Sequence, residues 1–186
     1  YNQRVKQVLL TGIMLSCIAV VCVCCRPNIK ETKGHLTYFD INGFFTADAM
    51  RLNRQQVTVT KTVTHNGDSQ TQKVNNINWL NEFELFISSD INKPAWSDSY
   101  TIQNANGLVV YKAKTPDLKT RLVVIKKDGD KIKSIIIDNH TTNMLYENTE
   151  QLTYFPDSVY QISKWQKVRF LGKNTYSIKG VFFKRD

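Results

Sequence analysis

Short segments that alternate between apolar and polar residues fill most of the chain from Val57 onward, and this pattern limits its possible folds more than any other feature. The residues from Val57 to Val63 alternate with threonines and are followed by Asn66-Gly67. Asn-Gly after an alternating segment is typical of a β-hairpin, because a type I′ turn needs positive φ at both central residues. We therefore expect a hairpin here, with its return strand over residues 71–75.

Beyond Pro94 the pattern predicts strands almost throughout. The expected strands cover residues 109–114, 121–127, 131–138, 143–146, 151–155, 159–163, 167–171 and 175–183. Successive short strands with tight turns favour sequential antiparallel pairing. The predicted fold class is α+β, with a curved antiparallel β-meander of about seven to nine strands that could form an incomplete barrel.

Two segments have helical spacing of apolar residues. The first follows Asp40, a candidate N-cap, and places five apolar residues on one face: Ile41, Phe44, Phe45, Ala49 and Leu52. The second follows Asn78 and places five others together: Trp79, Leu80, Phe83, Phe86 and Ile87. A helix lying on a membrane is the alternative for the first, but Asp48 and the lack of a lysine-rich polar face favour packing in the domain. We expect both helices on one face of the sheet.

The N-terminal segment has the pattern of an export signal or membrane anchor. Arg4 and Lys6 precede a run without charged residues from Val8 to Cys25, and Arg26-Pro27 ends it. This run lies near the lower limit of about 17 residues for a transmembrane helix, so its length does not separate the two. The predicted organisation is a signal peptide or anchor at residues 1–25, a polar tether at 26–36 and one domain at 37–186.

All four cysteines lie in this apolar run: Cys17, Cys22, Cys24 and Cys25. Adjacent thiols within an apolar segment fit neither a disulfide framework nor a zinc site. The segment resembles a bacterial lipoprotein signal peptide, in which a cysteine after small residues is lipidated. Cys25, directly before the tether, is the favoured lipidation site and Cys17, after Met14-Leu-Ser16, is the alternative. An uncleaved anchor with the cysteines as apolar fillers stays open.

The formal net charge of +9 favours anionic neighbours, such as lipid headgroups or an acidic protein face. Scattered Lys and Arg residues are also explained by solubility alone. Nucleic acid is not expected, because the chain has no basic helix or arginine run.

Several sequence segments resemble small envelope lipoproteins of Bacteroidota-type bacteria. They are Lys61-Thr-Val63, Trp79 to Phe86, Ser89 to Trp96 and Leu152-Thr-Tyr-Phe-Pro156. The resemblance implies a membrane-anchored protein of the bacterial cell envelope and carries over no functional residues. Because Arg26 to Lys30 lacks the early acidic run associated with surface export, it also implies a periplasm-facing position at the outer membrane.

No motif predicts catalytic residues, a metal or a cofactor. The three histidines, His35, His65 and His140, are isolated in sequence, and no Gly-x-Ser-x-Gly, His-Glu-x-x-His or phosphate-loop pattern occurs. The segment from Asp90 to Thr101 lacks the glycine and final acid of a calcium loop. These observations favour a protein that is not an enzyme.

Two groups of residues are candidate binding surfaces. The stretch from Ser88 to Tyr100 supplies a possible partner surface of Asp90, Lys93, Trp96, Asp98 and Tyr100. The alternative is that Trp96 caps the core. Four aromatics near the C-terminus are candidates for the lining of a concave pocket, although alternation sends some of them inward: Tyr154, Phe155, Tyr160 and Trp165.

The leading functional hypothesis is therefore a lipid-anchored, non-enzymatic interaction module that binds an envelope protein or an anionic envelope ligand. A carrier or sensor of an apolar ligand in a half-barrel cavity is the first alternative. A hydrolase with a carboxylate pair assembled in three dimensions is the second.

Overall fold

The computed structural model describes residues 36–183, which form one open antiparallel sheet with short helices on one face. The helices are α1 (Ile41–Gln55), α2 (Trp79–Glu82) and α3 (Glu84–Ile87), and a 3-10 turn covers Pro94–Trp96. The strands are β1 (Val59–His65), β2 (Asp68–Val74), β3 (Tyr100–Ala105), β4 (Leu108–Ala113), β5 (Thr120–Asp128), β6 (Lys131–Thr142), β7 (Tyr146–Phe155), β8 (Val159–Val168) and β9 (Gly172–Phe182). The predicted α+β class with a curved antiparallel sheet is confirmed.

The sheet combines a meander with one pairing between residues distant in sequence. Its strand order is β2-β1-β9-β8-β7-β6-β5-β4-β3. Strands β3 to β9 follow one another as predicted, whereas the first hairpin adds to the sheet beside the last strand, with Val59 opposite Phe182. This β1–β9 pairing could not be read from local patterns, because it depends on contacts more than 100 residues apart in the chain.

Asn-Gly pairs form two of the hairpin turns. Asn66 and Gly67 have φ of 50° and 98°, as the predicted β1–β2 hairpin requires. Asn106 and Gly107 have φ of 50° and 77° and join β3 to β4. The sequence prediction missed β3, although this second Asn-Gly pair carries the same signal.

Strands at the C-terminal end are longer than predicted. Residues 143–146 and 151–155 were expected as separate strands, but β7 runs unbroken from Tyr146 to Phe155. The same holds for β8, which continues to Val168. Residues 143–145 and 169–171, expected as strand, are turns instead. Polar residues such as Glu150 and Lys164 broke the apolar pattern on which the strand prediction depended. In the structure these two residues lie opposite each other on β7 and β8.

The two predicted helical segments differ in outcome. Helix α1 is confirmed with its cap, since the Gly43 amide donates to Asp40 Oδ1 at 2.7 Å. The second segment is broken at Phe83, which has φ of −95° and ψ of 8°, and therefore forms α2 and α3 rather than one helix. Trp79, Phe83 and Phe86 of the expected apolar face are buried, whereas Leu80 is exposed.

Aromatic side chains fill the space between the helices and the sheet. Phe45 of α1 packs against Phe83, Phe86 and Tyr154, and Trp79 stacks on Phe182 of β9 with ring centroids 5.5 Å apart. Offset and edge-on aromatic pairs of this kind add about 0.5–1.5 kcal/mol beyond the burial of their area. The core therefore lies under the helices, on what we call the inner face of the sheet.

No helix within residues 36–183 has the length and apolar character needed to cross a membrane. The predicted leader, most of the tether and the candidate lipidation residues Cys17 and Cys25 lie outside the described residues.

Candidate functional site

Two of the candidate aromatics form a buried pair beneath the helices. Tyr154 on β7 lies directly opposite Tyr160 on β8, and neither is exposed. The Tyr154 hydroxyl donates to Asp48 Oδ2 on α1, while the Tyr160 hydroxyl donates to Glu82 Oε1 on α2 at 2.6 Å. Each tyrosine thus fastens one helix to the sheet.

Both carboxylates of this arrangement are fully engaged. Asp48 Oδ1 also accepts from Arg51 Nε at 2.6 Å, and Glu82 Oε2 lies 2.8 Å from Lys61 Nζ. The pKa values of Tyr154 and Tyr160 are raised, mainly by burial and secondly by the neighbouring carboxylates of Asp48 and Glu82. The hydroxyls therefore stay protonated and act as donors. Asp48 and Glu82 therefore act in structure and do not form the open acid pair that a hydrolase would need.

The other two candidate aromatics lie on the opposite, outer face. Phe155 is 40 % exposed and Trp165 is 46 % exposed. Successive residues of a strand point to opposite faces, so Tyr154 and Phe155 cannot share a surface. Alternation thus sends Tyr154 and Tyr160 into the core, as the sequence suggested for some of these aromatics, and the four do not line one pocket.

The Ser88 to Tyr100 stretch is held firmly at the base of β3. The Tyr38 hydroxyl lies 2.9 Å from the carbonyl oxygens of both Trp96 and Ser97, and the Tyr38 amide donates to Asn92 Oδ1, also at 2.9 Å. Tyr38 belongs to the core, and the stretch leads directly into β3. The backbone of the stretch is therefore held at both places, and its outward side chains have a defined arrangement.

Within this stretch, Tyr100 does not belong to the surface. It is 3 % exposed, and its hydroxyl donates to the Thr120 carbonyl oxygen at 2.9 Å. Burial, with a smaller contribution from Tyr38, raises its pKa to about 12. The prediction of Tyr100 as a partner residue is corrected, because its position as the first residue of β3 turns it into the core.

The remaining predicted partner residues keep polar groups at the surface. Lys93 Nζ lies 4.2 Å from the ring centroid of Trp96, which is half-buried against the core. Asp98 is exposed and pairs with Lys114 at 2.5 Å. Burial, with a smaller effect of Asp40, raises the pKa of the half-buried Asp90, against hydrogen bonds from Asn92. Trp96 therefore both caps the core and supports an exposed cation.

A buried polar cluster lies beside the core on the inner face. Asn148 Nδ2 donates to Glu150 Oε1 at 2.9 Å, Lys164 Nζ lies 3.6 Å from the same oxygen, and Asn139 Nδ2 donates to Ser89 Oγ at 2.8 Å. Among the described residues, Oδ1 of Asn139 and of Asn148 has no hydrogen-bond partner. The sequence prediction missed this cluster because its members come together only across β6, β7 and β8.

A groove of about 690 Å³ lies where α1 ends beside β2 and β9. Its lining mixes Arg54, Lys73 and Asp157 with Phe182 and Phe183. This lining does not match the apolar cavity that a carrier would need. In the part of the chain that the structure describes, no group of three or more His, Cys, Asp or Glu side chains is arranged to hold a metal ion.

Four large apolar side chains are exposed at the ends of β7 and β8 opposite to Tyr154 and Tyr160, in a feature that we call the turn tip. Met144 and Leu145 lie in the β6–β7 turn, and Phe170 and Leu171 lie in the β8–β9 turn. Their exposed fractions are 83 %, 67 %, 92 % and 85 %, in that order. The Arg169 amide donates to the Leu145 carbonyl oxygen at 2.9 Å, so the two turns form one structure. The sequence prediction assigned these residues to strands and missed the tip.

Comparisons with protein-family models, curated proteins and solved structures found no match to this chain.

Proposed function

We propose that this chain is a lipid-anchored protein of the bacterial cell envelope whose folded domain is a non-enzymatic binding module. Its partner would be another envelope component, either a protein or an anionic ligand. The N-terminal sequence supports the location, and the described domain supports the type of function.

The observation that carries the proposal is the contrast between buried and exposed chemistry. The carboxylates of Asp48, Glu82 and Glu150 are bound by neighbouring side chains. Outside the core, the Tyr38 hydroxyl donates to the backbone carbonyls of Trp96 and Ser97, so the segment from Lys93 to Asp98 has a fixed backbone while the side chains of Lys93 and Asp98 are exposed. A rigid surface with an aromatic support and exposed charges suits recognition, because little conformational entropy is lost on binding.

Anchoring would let a modest interface suffice. A protein confined to a membrane plane meets its partners at a raised effective concentration. The excess of basic side chains favours a partner with a negative surface, and electrostatic attraction of this kind mainly raises the association rate.

Anchoring can be tested by replacing Cys25 and Cys17 together with serine in the native host. The double variant should move from the membrane fraction to the soluble fraction after cell lysis, while Cys22→Ser should stay with the membrane. Membrane fractionation unchanged in the double variant would contradict lipidation at either site.

Binding can be tested by placing a photo-crosslinking amino acid at Lys93 in the membrane-bound protein. A matched control carries the same group at Asp130, an exposed position in the β5–β6 turn at the other end of β5. A discrete crosslinked envelope component from position 93 and none from position 130 would support the proposal. Equal crosslinking, or none, would show that this stretch is not the binding surface.

The carrier alternative receives no support from the interior, because aromatic rings fill the space between the helices and sheet.

A further inference from the structure

The turn tip leaves its apolar side chains in solvent although the turns themselves are well ordered by hydrogen bonds. Asn143 Oδ1 accepts from the amides of Leu145 and Tyr146 at 2.8 and 2.9 Å. The Leu171 amide donates to the Val168 carbonyl oxygen at 3.2 Å. Their exposure is therefore built into a fixed backbone.

Phe170 combines an exposed ring with a strained backbone. Its φ of 73° lies in the left-handed region, which is an outlier for a bulky residue. Glycine or asparagine would form the same turn with less strain. The Phe170 ring is almost fully exposed and so contributes no core packing in return. Local strain without compensation inside the fold indicates a role outside it.

Basic side chains surround the tip. Arg169 lies with its guanidinium carbon 5.3 Å from the Phe170 ring centroid, and Lys167 and Lys173 are paired across β8 and β9 just behind the turn. Glu147 is opposite Lys167 on β7 and offsets one of these charges. The two turns themselves, residues 143–145 and 169–171, contain no acidic residue.

We infer that the turn tip inserts into the interface of an anionic lipid bilayer, with Met144, Leu145, Phe170 and Leu171 among the upper acyl chains and the basic side chains at the headgroups. Apolar groups in front of a basic collar match the two layers of such an interface. A second copy of the chain fits less well, because a stable protein interface needs about 1,600 Å² of buried surface and two turns form only a small projection.

This inference goes beyond the proposed function and does not depend on lipidation. A lipid on the leader would hold the chain near the bilayer without setting the direction of the domain. Insertion of the tip would set that direction, with the long axis of β7 and β8 pointing into the membrane.

Depth-dependent fluorescence quenching can test insertion in the full-length protein. Tryptophan is placed at the tip in one variant, Phe170→Trp, and in the β7–β8 turn in a matched control, Ser158→Trp. The two positions lie at opposite ends of β8, a strand of 10 residues that spans roughly 30 Å. Both proteins carry the same leader, so binding through the leader brings both to the vesicle equally. The probe is vesicles of phosphatidylcholine and phosphatidylglycerol with brominated acyl chains, and wild-type spectra are subtracted.

Insertion predicts strong quenching for Phe170→Trp and little for Ser158→Trp. Equal quenching at both positions, or none at position 170, would overturn the inference. A blue shift of the Phe170→Trp emission that needs no vesicles and grows with protein concentration would also overturn it, in favour of contact between copies.

The basic collar has its own test. Replacing Lys167 and Lys173 by alanine should reduce the ratio of inserted to free tip by about fivefold per charge on anionic vesicles. The same pair of substitutions should change nothing on vesicles of phosphatidylcholine alone. Quenching at position 170 that is independent of both changes would contradict the role of an anionic surface.

Discussion

The two ends of strands β7, β8 and β9 differ in whether their large apolar side chains are buried or exposed. At the covered end, Tyr154, Tyr160 and Phe182 lie beneath the helices, and the tyrosine hydroxyls are bound by carboxylates. At the turn tip, large apolar side chains project into solvent from turns of the same strands. One end contributes core packing, whereas the other adds apolar surface that the domain itself does not use.

We therefore expect one end of these strands to contribute to the stability of the domain and the other end to contact other molecules. Substitutions at the covered end should lower the free energy of unfolding, whereas those at the tip should leave it unchanged or raise it. Unfolding free energies of variants at the two ends of the same strands therefore test whether the two ends differ in this way.

The largest effect is expected at Gly180. A Cβ at this position would collide with the ring of Tyr160, which crosses β9 there. Gly180→Ala should lower the free energy of unfolding by about 3 kcal/mol, since the packed ring has no free space to move into. Chemical denaturation measures this, with Val181→Ala on the outer face of the same strand as control. A loss no greater than in the control would show that the core at this end is loosely packed.

A smaller loss is expected when Asp48 is replaced by alanine. The Tyr154 hydroxyl would then be buried without its acceptor, and Arg51 would lose one of its two carboxylate partners. We expect a loss of about 2 kcal/mol in the free energy of unfolding. Asp98→Ala removes an exposed ion pair and should cost less than about 0.5 kcal/mol. Similar losses in the two variants would argue against a structural role for the buried carboxylate.

Alkaline pH should act on the covered end through its tyrosines. Their pKa values are raised in the folded state above the ordinary tyrosine value of 10.0, so the stabilising contribution is complete below pH 10.0 and is lost as the pH rises above it. Each tyrosine that stays protonated adds a slope of about 1.4 kcal/mol per pH unit above this value. Tyr154→Phe should therefore reduce the slope of stability against pH by that amount. An unchanged slope between pH 10 and 11 would contradict the assignment.

The smallest effect, and the only gain, is expected at the tip. Phe170→Gly should raise the free energy of unfolding by about 1 kcal/mol, because glycine adopts the left-handed backbone without strain. Leu171→Gly, at the neighbouring position without positive φ, should give no gain. If both variants lose stability, the tip contributes to the fold and the contrast between the two ends disappears.

Features set by neighbouring residues could be predicted from the sequence. The Asp40 cap, the face of α1 and the Asn66-Gly67 turn each depend on a few consecutive residues, and each is found in the structure. The second Asn-Gly pair, Asn106-Gly107, has the same local signal for a hairpin turn.

Features that depend on tertiary contacts could not be predicted in this way. In the sequence, Asp48 served only as evidence against a membrane-lying helix, and its burial beside Tyr154 and Arg51 could not be foreseen. Glu150 lies mid-strand and was not identified as part of a cluster that involves three strands. The tip was missed because Phe170 belongs to a type common in strands, and only the lengths of β7 and β8 put Met144 and Phe170 in turns.

The pairing of β1 with β9 sets the order in which this domain can be completed during synthesis. The hairpin near the start of the domain has its neighbour only in the last strand, so it cannot join the sheet until translation has passed Phe182. Formation of such distant contacts is slow, since a long loop must close before any pairing energy is gained. The sheet of a nascent chain therefore stays incomplete until β9 has been synthesised, although β3 to β8 can pair with their neighbours in sequence before that.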